Sequence, residues 1–143
     1  MKTTWKQHEN GFQYPISNTE YPIINESAKM NNTTGKYDLE DRLIDYAVRI
    51  INVSEQLPES KAGKHIAGQV LRSGTAPAPN YGEAQSAESS KDFIHKIKIA
   101  LKELRESKIW LKIIVRAKLI QESLLESLIE ESDELTAILF KSV

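Results

Sequence analysis

The sequence of 143 residues contains no cysteine. Disulfide bonds, thiolate metal sites and cysteine nucleophiles are therefore excluded, and this absence fits a chain that works in a reducing cytoplasm. Long apolar runs are also missing. The longest apolar segment, residues 109–115, is interrupted by Lys112 and is far shorter than the ~18 residues that cross a bilayer. Residues 1–19 have no apolar segment of the kind that a secretory signal contains. We expect a cytoplasmic protein that does not contact a membrane.

Motifs of catalysis and of metal binding are equally scarce. No glycine-rich loop of the P-loop type occurs, and no set of Ser, His and Asp residues stands out as a catalytic triad. A di-iron site in a helical bundle needs paired Glu-x-x-His motifs, whereas this chain offers a single Asp92-x-x-His95 pair. We therefore expect a non-enzymatic protein with no catalytic residue, no metal ion and no cofactor.

Residues 1–36 form a polar N-terminal arm without helical periodicity. A short repeat occurs within it, because Tyr14-Pro15-Ile16 returns seven residues later as Tyr21-Pro22-Ile23. Terminal segments without a buried face are commonly mobile, which favours a flexible leader. A residue before proline avoids the helical region, which favours an extended arm that docks its aromatic residues on a neighbouring surface. The sequence leaves both interpretations open.

From Tyr37 onward, apolar residues recur at the three- and four-residue spacing of amphipathic helices. Four helices are predicted: one capped by Asp38 and ended by Pro58, one starting near Ser60, one from about Ser90 to Ala117, and one opened by a capping box at Ser123 and Glu126. Short connections make sequential helices antiparallel neighbours. The predicted fold is an all-α four-helix bundle over residues 37–143.

The second predicted helix runs into a stretch that contains Pro77 and Pro79. Each proline lacks the N–H that a helix needs, so the chain must bend or break there. One long helix that kinks and two helices that stop and restart fit the residues equally well. We expect Ser73 and Asn80 to donate hydrogen bonds to the carbonyls that the prolines leave unpaired.

The third predicted helix has more apolar residues than one face holds. Its inner stripe consists of Phe93, Ile97, Ala100, Leu104, Ser107, Leu111 and Ile114. Outside that stripe lie Ile99, Ile109, Trp110 and Ile113, which we expect to form an oligomer interface. A helix that is apolar beyond one face usually packs against a second partner, so the residues predict self-association.

Charge is separated along the chain, although the net charge is only −1. Residues 91–118 contain nine Lys or Arg and three Asp or Glu, whereas residues 38–59 and the fourth predicted helix are acidic. One interpretation is that basic and acidic helices pair along a solvated face, each pair contributing only ~0.2–1 kcal/mol. The other is a nucleic-acid-binding stripe on one helical side, formed by Lys91, Lys98, Lys102, Arg105, Lys112 and Arg116.

Arg72, just before the proline stretch, is a further candidate for nucleic-acid contact, because arginine binds phosphate with two parallel hydrogen bonds. The alternative is a structural role, in which Arg72 pairs with Glu83 or Glu103 across helices and stabilises the bend.

Several segments occur in one order: LIDYAVRII at 43–51, AGKHIAGQVLRSG at 62–74, NYGEA at 80–84, KDFIH at 91–95 and LKELRE at 101–106. In combination they resemble the small four helix bundle protein family. That family includes proteins encoded in intervening sequences of bacterial 23S rRNA genes, often labelled S23, and the accessory variability determinant of diversity-generating retroelements. The resemblance covers about residues 37–143. One departure is Lys118, which stands where relatives often end the third helix with glycine.

The resemblance implies an antiparallel up-down-up-down bundle with a proline-kinked second helix, assembled as a ring-shaped homopentamer. Accessory members of the family bind nucleic acid and a reverse transcriptase through a basic surface. We therefore expect a non-enzymatic, homo-oligomeric adaptor that binds RNA or DNA and a protein partner such as a reverse transcriptase. The alternative is a protein-interaction scaffold that binds no nucleic acid.

Overall fold

The computed structural model describes residues 5–7, 13–15 and 39–143, and the chain divides into the units Met1–Asp38 and Leu39–Val143. In the first unit, strand β1 (Trp5–Gln7) pairs antiparallel with strand β2 (Gln13–Pro15), with Trp5 opposite Pro15. The second copy of the Tyr-Pro-Ile repeat and the predicted helix cap Asp38 lie outside the described residues.

The second unit is built from helices alone, which confirms the all-α prediction for residues 39–143. The helices are α1 (Leu39–Gln56), α2 (Lys61–Thr75), α3 (Pro77–Gln85), α4 (Ser90–Arg116) and α5 (Glu122–Phe140). Both α1 and α4 pack against α2, α3 and α5, so α1 and α4 occupy opposite corners of a four-helix bundle in which α2 and α3 share one position.

One apolar stripe from each helix forms the core. In α5 the buried residues are those that the periodicity predicts, and in α4 the prediction differs only in that Leu101 is buried and Phe93 is half-buried. In α1 the helical spacing predicts an inner stripe of Leu43, Ala47, Ile50, Ser54 and Leu57, and it misses Tyr46, which is fully buried. The Tyr46 hydroxyl donates a hydrogen bond of 2.7 Å to Ser107 Oγ on α4, and Ser107 donates in turn to the Leu104 carbonyl. These two hydrogen bonds satisfy the buried hydroxyl groups, which can therefore lie in the apolar core.

The helix starts follow capping rules only in part. The second helix starts near Ser60 as predicted, and Ser60 caps α2 by accepting a hydrogen bond of 3.1 Å from the Gly63 N–H. For α4 the capping residue is Ser89, one residue before the predicted Ser90. The capping box predicted at Ser123 is wrong, because α5 begins at Glu122 after an extended residue 121 that makes no side-chain cap. Ser123 therefore lies inside the first turn and not before it.

Only Ala76 separates α2 from α3, and its backbone is itself helical (φ −72°, ψ −34°). The Ala76 N–H donates to the Arg72 carbonyl, and the Asn80 N–H donates to the Ala76 carbonyl, both at 3.2 Å. Hydrogen bonds from residue i to i−4 thus occur on both sides of the joint. Pro77 is the first residue of α3, where a missing N–H costs nothing.

The predicted roles of Ser73 and Asn80 are wrong in detail. Prolines at 77 and 79 free the carbonyls four residues earlier, those of Ser73 and Thr75. Ser73 Oγ instead donates to the Gln69 carbonyl at 2.9 Å, and Asn80 Nδ2 donates to the Ala76 carbonyl at 2.9 Å. A short polar side chain inside a helix reaches back along its own turn, and both side chains do so here.

At the end of α4, Lys118 has a left-handed backbone with φ 57°. The Leu119 N–H donates to the Ile114 carbonyl at 3.1 Å and the Lys118 N–H to the Val115 carbonyl at 3.0 Å. This pair of bonds is a Schellman motif, in which glycine is the preferred left-handed residue.

Candidate nucleic-acid interface

The outer side of α4 carries the predicted stripe of cations. All six residues are exposed, and they lie away from the buried side of the helix. We call them the basic stripe: Lys91, Lys98, Lys102, Arg105, Lys112 and Arg116. At 100° per residue they fall within an arc of ~80°, so one extended ligand can contact them together.

Two other cations of α4 are paired with neighbouring helices. Lys96 donates to Glu83 of α3 at 2.7 Å, and this hydrogen bond raises the pKa of Lys96. Lys108 pairs with Asp133 of α5. Both lie nearer the helix–helix contacts than the basic stripe does. Within residues 39–143, no member of the basic stripe forms an ion pair. The positive charge of the stripe is therefore uncompensated by the bundle.

The structure places Arg72 among carboxylates and not on the basic stripe. Arg72 Nη1 donates to Glu103 at 2.9 Å, and Arg72 Nη2 pairs with Glu106. Both glutamates belong to α4, so the contact joins α2 to α4. Because two carboxylates already neutralise this guanidinium, Arg72 contributes less free positive charge than any member of the stripe.

The acidic residues of α5 also have partners within the bundle. Glu131 and Glu134 accept hydrogen bonds from Arg42 of α1. The Arg42 side chain is only 14% exposed. The carboxylates raise the pKa of Arg42 against the opposing effect of desolvation, which is the largest single influence. Sequence reasoning missed this contact, because Arg42 lies in the acidic segment 38–59, whereas the cations were expected to act from residues 91–118. Glu131 and Glu134 of α5 thus pair with α1 and Asp133 with Lys108, and none of the three pairs with the basic stripe.

The four predicted interface residues divide into two pairs. Ile109 is 57% exposed and Ile113 is 38% exposed, and both lie on the outer side of α4 among the cations. Ile99 and Trp110 are half-buried, and the Trp110 ring meets the His65 ring edge-on at 6.0 Å between centroids. Ile109 and Ile113 are therefore the apolar side chains of this set that the bundle itself leaves most exposed.

In the described part of the chain, no group of three or more His, Asp or Glu residues is arranged to hold a metal ion. Likewise, none of the described helices is long and apolar enough to pass through a bilayer.

Comparison with known proteins places this bundle in a family. Residues 36–141 match the family described as 23S rRNA-intervening sequence protein. The chain belongs to this family. A member of the S23 ribosomal protein family from Bacteroides thetaiotaomicron VPI-5482, a protein of unknown function with a crystal structure, is 36% identical, with a TM-score of 0.69. The alignment covers 73% of this chain and 96% of that one. A search of curated proteins gave no match.

The family membership confirms the resemblance drawn from the sequence, and it extends over the same residues, from about 37 to the end of α5. The 23S rRNA-intervening sequence match leaves almost all of the N-terminal arm outside it.

Proposed function

We propose that this 23S rRNA-intervening sequence protein is a non-enzymatic, oligomeric adaptor in the cytoplasm that binds RNA or DNA through the basic stripe of α4. The observation that carries the proposal is the set of six exposed cations on one helix face without an ion-pair partner in residues 39–143. Phosphate backbones bind such arrays without reading base sequence. A protein partner such as a reverse transcriptase belongs to the same proposal, on the strength of the family resemblance.

Assembly into a closed oligomer strengthens this binding. A single stripe offers only a few weak phosphate contacts, but copies held around one axis act on the same nucleic acid at high effective concentration. The exposed Ile109 and Ile113 support self-association, and the family resemblance supports a homopentamer. Light scattering of the purified protein measures the subunit number directly.

We also infer that the chain forms an antiparallel up-down-up-down bundle whose second helix, α2 together with α3, kinks at Pro77. The contacts between α1 and α5 support antiparallel packing, because later residues of α1 contact earlier residues of α5. Arg42 meets Glu134, whereas the later Arg49 meets the earlier Ser127. The single helical residue between α2 and α3 supports a continuous, kinked helix.

The test is a charge reversal with a matched control. Lys98, Lys102 and Arg105 are changed together to Glu, and in a second protein Lys61, Lys64 and Lys141, which are exposed elsewhere, are changed together to Glu. Both variants lose the same net charge. We expect the stripe variant to lose binding to RNA and duplex DNA of about 20 nucleotides, and to flatten the slope of log affinity against log salt by ~2–3. The control should keep most of its affinity and its slope.

A scaffold that binds no nucleic acid is the second candidate, and the pairs Lys96–Glu83 and Lys108–Asp133 favour it, because they show cations of α4 serving the bundle. The scaffold predicts no binding even at low ionic strength. Equal loss of affinity in both variants would show a net-charge effect and would overturn the assignment to the basic stripe.

A further inference from the structure

A second unpartnered helix face lies on α1, the helix at the corner of the bundle opposite α4. Ile44 is 47% exposed and Ile51 is 42% exposed, and the exposed Glu40 and Glu55 flank them. The four positions fall within an arc of ~60° at 100° per residue, so they share one side of the helix. Neither glutamate forms an ion pair with another residue of 39–143. We call these four residues the acidic face.

The C-terminal half of α4 has the same layout with the opposite charge. Ile109 and Ile113 are exposed, and the exposed Lys112 and Arg116 lie beside them on the outer side of the helix. We call these four residues the cationic face. Each face thus combines two exposed isoleucines with two charges that the bundle leaves unpaired.

The two faces cannot meet within one chain, because α1 and α4 lie at opposite corners and their outer sides point away from each other. They can meet between copies. A cationic face packed on a second cationic face brings like charges together, as does an acidic face packed on its equal, and such contacts are unfavourable. Packing unlike faces buries all four isoleucines and pairs the charges.

The other acidic helix offers a poorer match. On α5 the exposed Glu126 and Glu130 lie on the outer side, but the exposed apolar residues Leu124 and Phe140 lie near the two ends of the helix, on different sides from each other. Burying that surface would remove carboxylates from water with little apolar area in return.

We propose that copies of this chain associate head-to-tail, with the acidic face of α1 in one copy packed on the cationic face of α4 in the next. Unlike faces that repeat in one direction generate rings or open chains and not simple two-fold dimers. The contact pairs Lys112 and Arg116 with carboxylates of the next copy, so in the assembly the phosphate contacts of the basic stripe are made by Lys91, Lys98, Lys102 and Arg105. The inference rests on the proposed self-association and adds which surfaces make it.

Two variants, each with one of the two faces disrupted, test the head-to-tail contact directly. One carries Ile109→Glu and Ile113→Glu, and the other carries Ile44→Glu and Ile51→Glu. We expect the wild-type protein to sediment as an oligomer and each variant to sediment as a monomer. Mixing the two variants should give a one-to-one heterodimer, because each retains one intact face and the two faces are complementary. Circular dichroism checks that each variant keeps the helical content of the wild type.

A charge swap provides a second test that leaves the apolar residues untouched. Lys112→Glu with Arg116→Glu should raise the protein concentration needed for assembly at least ~tenfold, and Glu40→Lys with Glu55→Lys should do the same. All four changes in one chain should restore assembly, because the faces become complementary again with their charges exchanged.

Three outcomes overturn the inference. The first is an Ile44→Glu, Ile51→Glu variant that still assembles as the wild type does, which would mean that α1 lies outside the interface. The second is a four-fold swap that fails to restore assembly lost in the double swaps. Both would leave the proposed function standing. The third is a wild-type protein that stays monomeric at high concentration, which would remove self-association itself, while nucleic-acid binding by single chains is measured separately.

Discussion

The inner and outer sides of α4 differ in how far their side chains have partners within the bundle, although both belong to the same 27-residue helix. On the inner side every residue is packed, and the buried side-chain polar atoms in the described residues all have hydrogen-bond partners. On the outer side, the cations of the basic stripe form no ion pair within residues 39–143, and Ile109 and Ile113 are exposed. The inner side is thus explained by the fold of one chain. The outer side has no such explanation, and so it is where function is to be sought.

The largest difference between the two sides should appear on truncation. Leu104→Ala removes a fully buried side chain and should lower the free energy of unfolding by ~2–5 kcal/mol. Ile109→Ala removes a side chain that is 57% exposed and should cost much less within a single chain. Urea unfolding of both variants at a protein concentration low enough to keep the chains monomeric measures the contrast. Similar losses for the two would mean that Ile109 is buried in solution.

Two glycines of α2 sharpen the same comparison on another helix. A Cβ added at Gly74 would lie 2.5 Å from Ile50 Cγ1, so Gly74→Ala forces α1 and α2 apart and should destabilise by ~1–3 kcal/mol. A Cβ at Gly68 would meet nothing within 4 Å, and Gly68→Ala should stabilise by ~0.5–1 kcal/mol. Thermal unfolding of the two variants distinguishes them. Opposite signs are expected, and equal signs would contradict the packing of α1 on α2.

The buried hydroxyl pair gives a test by pH. Burial raises the pKa of the Tyr46 phenol above its ordinary value of 10.0. Above about pH 10 the unfolded chain loses this proton while the folded chain keeps it, so stability falls as pH rises, by up to ~1.4 kcal/mol per pH unit. Tyr46→Phe should cost ~1 kcal/mol near neutral pH, because one hydrogen bond is lost, and should remove this alkaline decline. The measurement is denaturant unfolding from about pH 8 to 11; a decline as steep in the variant as in the wild type would place the effect elsewhere.

The smallest effect is expected where α4 ends. Lys118 holds a left-handed backbone that costs a residue with a Cβ ~1–2 kcal/mol. Lys118→Gly should remove that cost. Glycine has more conformational freedom in the unfolded chain, which offsets part of the gain, so the net stabilisation should be about 0.5–1 kcal/mol. Lys118→Ala serves as the control for loss of the charge and should gain nothing. Melting temperatures of the three proteins provide the comparison.

Much of the inner side could be predicted from the sequence. The stripe of α5 (Leu125, Leu128, Ser132, Leu135 and Leu139) follows directly from helical spacing, because one face of a helix is all that a bundle core requires. Tyr46 was missed because an aromatic residue with a polar hydroxyl does not read as a core position until its partner Ser107 is known. Burial therefore follows from periodicity, whereas polar contacts in the core depend on a second helix.

For the outer side, only the excess of basic residues could be predicted from the sequence. The sequence shows that residues 91–118 are basic, but not which cations are paired. Lys96 and Lys108 pair because they lie toward α3 and α5, and the rotation of α4 that puts them there is set by packing. The cap of α4 at Ser89 and the start of α5 at Glu122 likewise differ from the predictions, because the connecting turns decide where each helix begins.

The hydrogen bond between Tyr46 and Ser107 ties the two corner helices of the bundle through its centre. A slip of either helix by one residue would turn its outer side by ~100°. The bond therefore helps to hold the angle between the acidic face of α1 and the cationic face of α4. In the head-to-tail assembly proposed above, that angle would set the turn from each copy to the next, and so the number of copies in a ring would depend in part on two buried hydroxyl groups.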